Sequence, residues 1–207
     1  MIIGISGKAQ AGKDTICKMI SYTIWYYTFS QRLIPFGIDH YKRCLPNYEN
    51  MLSVIGYKHT FFAKALKECL SVITGEKLSK FEDINFKNST VDWLEIDGHN
   101  PTIRELLQRF GTAIRNEVCD DFWVKVCLKN CTEDCLISDV RFESEAEGIR
   151  DIGGVIIRVN REGAGAGNHI SEIALDNYSF DYIIDNNGTE EDLLFKVKTF
   201  CKERDLI

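Results

Sequence analysis

The residues with the clearest chemistry lie near the amino end, where residues 7–13 read Gly-Lys-Ala-Gln-Ala-Gly-Lys. This spacing matches the pattern G-x-x-x-x-G-K, in which successive backbone N–H groups surround phosphate oxygens. Gly7 and Gly12 permit backbone angles that a side chain would block. The ammonium group of Lys13 is expected to reach the β and γ phosphates and to neutralise charge during phosphoryl transfer. The predicted phosphate-binding residues are Gly7, Ala9, Ala11, Gly12, Lys13, Asp14 and Thr15.

The residue after Lys13 departs from the general pattern, because Asp14 stands where a Ser or Thr usually binds Mg²⁺. Either Asp14 binds the ion, directly or through water, or the hydroxyl of Thr15 takes its place. Asp14 and Thr15 are therefore the candidate ligands for Mg²⁺ bound with ATP. A chance glycine-rich turn is disfavoured because a strand precedes the loop and a helix follows it, and the dinucleotide pattern G-x-G-x-x-G is absent.

A second group of polar residues lies on a predicted helix that begins at Thr102. Arg104, Gln108, Thr112 and Arg115 are spaced four, four and three residues apart, so they share one face of that helix. Two guanidinium groups and two neutral hydrogen-bonding groups suit a monophosphate attached to a base. An ordinary solvated helix face is the alternative.

Other candidates follow predicted strands or flank glycines. Asp139 ends a buried strand, where it could orient a metal, water or the attacking group, and Arg141 could clamp a phosphate. Arg158 and Arg161 flank the glycine-rich residues 163–167, which suggests a lid that excludes water. Lys64 and Lys67 lie at the start of the helix after the second strand, where they could contact a phosphate, although a solvated helix face explains Lys64 at least as well. In the polar cluster His169-Ile170-Ser171-Glu172, a structural role is favoured over catalysis for His169.

The elements that must position these residues alternate between strand and helix. Short apolar runs predict strands at 2–6, 59–62, 135–139, 155–159 and 181–185. Helical periodicity predicts helices from residue 13 and at 63–74, from 102, and at 120–130, 142–152 and 189–202. Thr102 with Glu105, and Thr189 with Asp192, have the chemistry of helix N-caps. This order predicts an α/β fold with a mainly parallel sheet and helices on both faces.

The length of the chain fits a single domain, 1–207. Within it, two segments show no regular pattern. Residues 31–58 are interpreted as an insertion, in which 33–37 could form an edge strand. Residues 76–101 are polar and aperiodic, and we expect a long loop or flap there, with an acceptor-binding region over about 76–130.

Composition limits the classes of partner. The net charge of −6 disfavours a nucleic-acid polymer, so the functional basic residues should collect in a cleft for small anions. Four of the eight cysteines lie between residues 119 and 135, but without a C-x-x-C pair or a His, which favours reduced thiols over a zinc site. No signal peptide or membrane span is predicted, so a cytoplasmic location is expected, in the host cytoplasm if the source is viral.

Taken together, the segments resemble the deoxynucleoside monophosphate kinases of tailed bacteriophages and some large DNA viruses. The resemblance rests on Gly-Lys-Asp-Thr at 12–15, Phe-Ala-Lys-Ala-Leu-Lys at 62–67, the run 103–112 with Phe-Trp-Val at 122–124, Asp-Val-Arg at 139–141, the segment 159–163, His169-x-Ser171-Glu172 and Asn-Gly-Thr at 187–189. Little correspondence is found at 31–58. The resemblance implies a three-layer P-loop kinase fold and phosphorylation of deoxynucleoside monophosphates by ATP.

By motif position, the resemblance also implies roles for single residues. Arg104, Gln108 and Arg141 would lie on the acceptor side, and Arg161 near the transferred phosphate. The quoted motifs also contain Lys67 and Trp123, which are assigned to the acceptor together with Glu145, a residue that follows Asp-Val-Arg in the same resemblance, and Asn187, which is assigned to ATP. Three alternatives stay open: a kinase for dephospho-coenzyme A, one for phosphomevalonate, or a nucleotide-dependent switch. The oligomeric state also stays open, a homodimer included.

Overall fold

The computed structural model describes residues 1–30, 34–131, 134–165 and 173–207. They form two compact units. The first comprises Met1–Phe61 and Asn130–Ile207, and the second comprises Phe62–Lys129. None of the helices in these described ranges is long and apolar enough to cross a bilayer.

The first unit is built on a five-stranded parallel sheet, as the sequence predicted. Its strands are β1 (Ile2–Gly7), β2 (Tyr57–Thr60), β3 (Asp134–Val140), β4 (Val155–Asn160) and β5 (Tyr182–Asp185). Their order across the sheet is β2-β3-β1-β4-β5, so β1 is central and the chain crosses over it between β3 and β4. Ligands of such folds bind beyond the carboxyl ends of the strands, near the point where the strand order reverses. That end of β1 leads directly into the glycine-rich loop.

Helices cover both faces of this sheet. The α-helices of the first unit are α1 (Lys13–Trp25), α2 (Ile38–Cys44), α3 (Tyr48–Ile55), α8 (Glu143–Asp151) and α9 (Glu190–Glu203). Ile3 and Ile5 of β1 belong to a core shared with α1, α3 and α9. Gly4 points to the opposite face, where a Cβ atom would lie 2.7 Å from Cδ1 of Ile149 in α8. The three-layer arrangement is therefore confirmed, with α8 packed closely onto the central strand.

The segment interpreted as an insertion is mostly helical. A π-helix (Tyr26–Ser30) continues α1, and a 3₁₀ turn (Leu45–Asn47) separates α2 from α3. The expected edge strand at 33–37 is wrong for the described part, because Ile34–Gly37 belongs to no strand. Pro35 has no N–H for a strand ladder, and the carbonyls of Ile34 and Gly37 accept hydrogen bonds from the Tyr26 hydroxyl and the Tyr41 N–H.

In its described residues, the second unit contains helices and loops but no β-strand, only two isolated bridges. Its elements are α4 (Ala63–Thr74), a 3₁₀ turn (Leu78–Glu82), α5 (Ile84–Asn88), α6 (Ile103–Glu117) and α7 (Phe122–Lys129). Helix α4 ends at Gly75, whose φ of +71° is the left-handed cap that favours glycine. Helix α6 begins with the predicted capping box: the Glu105 N–H donates to the Thr102 hydroxyl and the Thr102 N–H to the Glu105 carboxylate.

The expectation of a loop or flap at 76–101 is only partly correct. Phe81 and Val91 are 0% and 4% exposed, and they pack in one core with Leu70, Ile103 and Leu106. Single apolar anchors separated by polar residues produce no helical or strand period, which is why the sequence pattern did not reveal this packing.

Candidate functional site

The glycine-rich loop joins β1 to α1, as expected for a phosphate-binding loop. The Ala11 N–H donates to the Lys8 carbonyl at 3.1 Å and closes a tight turn. Gly12 follows with φ of +103°, and α1 begins at Lys13. Because the first N–H groups of a helix have no partner within it, they add positive potential at this point. The loop and helix terminus together offer a site for an anion.

Steric contacts explain both glycines of the pattern. A Cβ atom on Gly7 would lie 2.8 Å from the Val159 carbonyl oxygen. One on Gly12 would lie 2.6 Å from Nδ2 of Asn186, at a φ that side chains also disfavour. A side chain at Gly7 would push the loop away from β4, and one at Gly12 would strain the backbone and displace the Asn186 side chain, so both positions require glycine.

The Lys13 side chain folds back over the loop that precedes it. Its Nζ donates to the Gly7 carbonyl at 2.8 Å and to the Lys8 carbonyl at 2.9 Å. The ammonium group is thus held beside the backbone that would bind phosphate. In this position it can neutralise a triphosphate with little movement of the side chain.

The proposed metal ligands differ in exposure. The Asp14 side chain is 74% exposed, whereas Thr15 is half-buried. Oδ1 of Asp14 lies 4.0 Å from Nε2 of His59, a residue of β2 that the sequence had not marked as functional. That Nε2 atom is buried and lacks a hydrogen-bond partner in the described residues. Burial lowers the pKa of His59, while the Asp14 carboxylate opposes that shift.

Asp139 lies near the same end of α1. Burial raises the pKa of the Cys17 thiol well above its usual value, and the carboxylates of Asp14 and then Asp139 raise it further. Both carboxylates therefore act on one turn of α1. Asp14 and Asp139 offer carboxylate oxygens and Thr15 a hydroxyl oxygen, and oxygen ligands are those that a hard divalent cation takes, so the donor set fits Mg²⁺.

The segment after β3 carries Arg141 and is fixed by Glu145 of α8. The Glu145 carboxylate is 3% exposed and accepts hydrogen bonds from the main-chain N–H groups of Arg141 at 2.7 Å and Phe142 at 3.1 Å. This carboxylate therefore caps α8 and orients the backbone of Arg141. Glu145 was assigned to the acceptor from its motif position, and these two hydrogen bonds show that it also positions the backbone of Arg141.

A cavity of about 440 Å³ adjoins the loop and brings together two of the predicted residues, Arg161 and Asn187. Its lining includes Lys8, Arg158, Asn160, Arg161, Asp176 and Asn187. Oδ1 of Asn187 accepts from the Glu162 N–H at 2.8 Å, which ties the turn after β5 to the segment that carries Arg161. The Gly165 N–H donates to the Ala9 carbonyl, so the glycine-rich segment reaches the loop itself. The polar cluster at 169–172 lies outside the described residues.

Arg158 is a polar residue of this cavity whose partners the sequence did not indicate. Its guanidinium group donates to the Ser6 hydroxyl at 3.2 Å and to Asp176 at 2.9 Å, and its side chain is only 11% exposed. Asp176 also lies 3.7 Å from Nζ of Lys8. Arg158 therefore links the end of β1 to the cavity wall. From the sequence, Arg158 could be recognised only as an arginine near a glycine-rich segment, and nothing indicated that it contacts Ser6 and Asp176.

In the second unit, α6 presents the polar face that the sequence predicted. Arg104, Gln108 and Thr112 are exposed and Arg115 is half-buried. Nε of Arg104 donates to Oδ1 of Asn88 at 3.2 Å, so α5 orients this guanidinium group. Lys67 of α4 forms an ion pair with Glu82 at 2.7 Å.

Trp123 is placed differently from the other predicted acceptor residues. It is 6% exposed and packs against Phe110 and Phe122. Its indole N–H donates to the Gly111 carbonyl at 3.1 Å. These contacts are those of a packing residue that connects α7 to α6.

Comparison with known proteins shows which family this chain resembles. A family model described as "Deoxynucleotide monophosphate kinase" matches residues 44–197, which is more than half of the chain. The match includes α6, Asp139, Arg141, Arg161 and Asn187. It begins within the segment 31–58, so family correspondence there starts at residue 44. The phosphate loop precedes the match, and its assignment rests on its own pattern and geometry.

Two relatives carry names that agree with this match. A protein of Acanthamoeba polyphaga mimivirus, provisionally named a deoxynucleotide monophosphate kinase, is 31% identical over 114 residues, which cover 46% of this chain and 59% of the relative. The deoxynucleotide monophosphate kinase of Enterobacteria phage T4 is 28% identical over 132 residues, which cover 58% and 55%. The chain thus spans somewhat more than half the length of these relatives. From the extent of the family match, the chain belongs to the deoxynucleotide monophosphate kinase family.

Proposed function

We propose that this protein transfers the γ-phosphoryl group of ATP to a deoxynucleoside monophosphate, which gives ADP and a deoxynucleoside diphosphate. The observation that carries the proposal is the loop between β1 and α1, with Lys13 held over it, in a chain of this family. The loop supports a donor with several phosphates, and the family supports a deoxynucleotide acceptor.

The donor would be bound by the first unit. Backbone N–H groups of the loop and of the first turn of α1 would hold the β and γ phosphates, and Lys13 would offset the charge that develops on them. The adjoining cavity, with Asn187 and Arg161 in its wall, would hold the rest of the nucleotide. Mg²⁺ bound with ATP would supply further charge neutralisation, and Asp14 and Thr15 are the residues that would hold it.

The acceptor would be recognised in part by the exposed face of α6. Arg104 and Arg115 offer guanidinium groups for the acceptor phosphate, and Gln108 and Thr112 offer hydrogen bonds to its base or sugar. One phosphate oxygen of the acceptor would attack the γ phosphorus as the bond from phosphorus to the leaving ADP oxygen breaks. A monophosphate is already ionised near neutral pH, so no strong general base is required.

Arg141 and Arg161 would then stabilise the charge on the transferred group, and Asp139 would orient the metal or its water. Positioning and charge stabilisation are the main contributions a protein makes to phosphoryl transfer. The fixed backbone of Arg141 and the position of Arg161 beside the cavity agree with these roles.

An acceptor panel tests this proposal. The purified protein is incubated with ATP, Mg²⁺ and one acceptor at a time: each deoxynucleoside and ribonucleoside monophosphate, dephospho-coenzyme A and phosphomevalonate. Chromatography should show a deoxynucleoside diphosphate and an equal amount of ADP. ATP hydrolysis without a phosphorylated product would favour a nucleotide switch, and product from only the last two acceptors would assign another kinase activity.

A lysine pair provides the control. Lys13→Ala should lower turnover by roughly a hundredfold or more while the protein stays folded, because it removes charge stabilisation at the transferred phosphate. Lys202→Ala, which removes an exposed lysine from the last turn of α9, should leave turnover unchanged. Near-normal turnover of Lys13→Ala would reject the assigned loop.

A further inference from the structure

Asn186, the residue directly after β5, connects the far side of the sheet to the phosphate loop. Its side-chain Nδ2 donates to the Ala11 carbonyl at 2.8 Å, across 175 residues of sequence. Its own main-chain N–H donates to the Asn160 carbonyl at 2.7 Å. The backbone of Asn186 is therefore anchored to the end of β4 while its side chain holds the loop.

The bond to Ala11 fixes one peptide group of the loop. The Ala11 carbonyl and the Gly12 N–H belong to the same planar, trans peptide, so they point in opposite directions. Once the carbonyl is directed at Asn186, the Gly12 N–H must point away from it. Rotation of this peptide would otherwise be easy, because Gly12 has the conformational freedom of glycine.

The Gly12 N–H also lacks an acceptor among the residues that the structure describes. It precedes the first turn of α1, whose N–H groups point along the helix axis toward the same side. A row of oriented N–H groups at the start of a helix is an arrangement that binds an anion. Asn186 thus holds the one peptide of this row that the helix does not itself fix.

We propose that Asn186 is a positioning residue for the phosphate loop: its side-chain amide holds the Ala11–Gly12 peptide so that the Gly12 N–H donates to a phosphate oxygen of the bound nucleotide. This role rests on the proposed function of the loop as the ATP site. Asn186 is distinct from its neighbour Asn187, which the sequence had assigned to ATP and which lines the cavity.

Two substitutions at this position separate the amide from the volume of the side chain. Asn186→Asp keeps the shape but replaces the donor by an oxygen that repels the Ala11 carbonyl, whereas Asn186→Ala removes the donor together with the volume of the amide group. Asn50→Asp makes the same change of charge at an exposed position on α3. Calorimetry then measures the Kd for ATP with Mg²⁺, and thermal unfolding monitors the fold of each variant.

Both variants should lose the orientation of the Gly12 N–H and with it a hydrogen bond to a charged phosphate oxygen. We therefore expect Asn186→Asp to raise the Kd for ATP by at least about tenfold, and Asn186→Ala to raise it by less. Asn50→Asp should stay within about twofold of wild type. If wild type binds ATP and both Asn186 variants bind equally well, the inference is overturned and the proposed function stands. If wild type fails to bind ATP, the proposed function itself fails.

A measurement on the unaltered protein keeps the inference testable even if both variants unfold. In ¹H–¹⁵N spectra, addition of inorganic tripolyphosphate should shift the Gly12 amide resonance strongly, because a new acceptor reaches that N–H. A tripolyphosphate complex in which the Gly12 resonance does not move would contradict the inference.

Discussion

The carboxylate of Glu145 accepts a hydrogen bond from the main-chain N–H of Arg141, with 2.7 Å between the two atoms. The same oxygen also accepts from the Phe142 N–H. These bonds cap α8 and fix the turn through which the chain leaves β3. Arg141 is expected to contact phosphate, so the position of its guanidinium group depends on a carboxylate that is itself buried.

This dependence predicts how two substitutions combine. Arg141→Ala and Glu145→Ala should each lower turnover, and the double variant should be no worse than Arg141→Ala, because Glu145 acts through Arg141. The kcat of all three variants is measured at a temperature where thermal unfolding shows them folded. Losses that multiply in the double variant would show that Glu145 contributes separately, for example by direct contact with the acceptor.

Arg104 provides a test of the acceptor side. Arg104→Ala should raise the KM for the monophosphate by roughly tenfold to a hundredfold, since a charge-assisted hydrogen bond contributes roughly 1.5–3 kcal/mol. The KM for ATP should change little. Arg109→Ala is the matched control, because Arg109 lies on another face of α6 and pairs with Asp97 at 2.7 Å. An effect of Arg104→Ala on ATP alone would remove Arg104 from the acceptor site.

Trp123 should contribute to stability and not to recognition. Trp123→Phe keeps an aromatic ring but loses the bond to the Gly111 carbonyl, so the free energy of unfolding should fall by about 1–2 kcal/mol. The KM for the monophosphate should stay within about twofold of wild type. Trp93→Phe, at a residue that is 63% exposed, should leave stability unchanged. A large rise in KM for Trp123→Phe would instead support the contact that its motif position implied.

The folded protein should lose stability in mild acid because His40 is buried in a neutral form. Burial lowers its pKa from 6.5, and the positive charge of Arg43 lowers it further. Nδ1 lies 3.1 Å from the Tyr22 hydroxyl, and Nε2 lies 3.6 Å from Sγ of Cys44. Protonation therefore favours the unfolded chain, so stability is complete above about pH 6.5 and falls as the pH drops below that value.

Urea unfolding at pH 7 and pH 5 measures this effect. His40→Asn keeps a hydrogen-bonding group near the Nδ1 position but cannot be protonated, so it should reduce the difference between the two pH values. An unchanged difference in His40→Asn would show that other groups cause the loss.

The sequence was most informative where local chemistry determines structure. Gly75 at the end of α4 and the capping box of Thr102 fixed helix boundaries, and apolar runs located the strands of the sheet. The sequence was less informative where single residues decide the packing. Phe81 and Val91 are buried but follow no periodic pattern, and Pro35 interrupts an apolar run that otherwise resembles a strand. Arg158, His59 and Asn186 make contacts between distant parts of the chain, and a single sequence does not reveal which residues at the strand ends meet.

A crystal structure of the protein with a non-hydrolysable ATP analogue and Mg²⁺ tests the assignment of the phosphate loop most directly. We expect the triphosphate to lie against residues 7–15, with Nζ of Lys13 moved from the Gly7 carbonyl to the β and γ phosphate oxygens. A structure in which that loop contacts no phosphate while the analogue is bound elsewhere on the protein would contradict it.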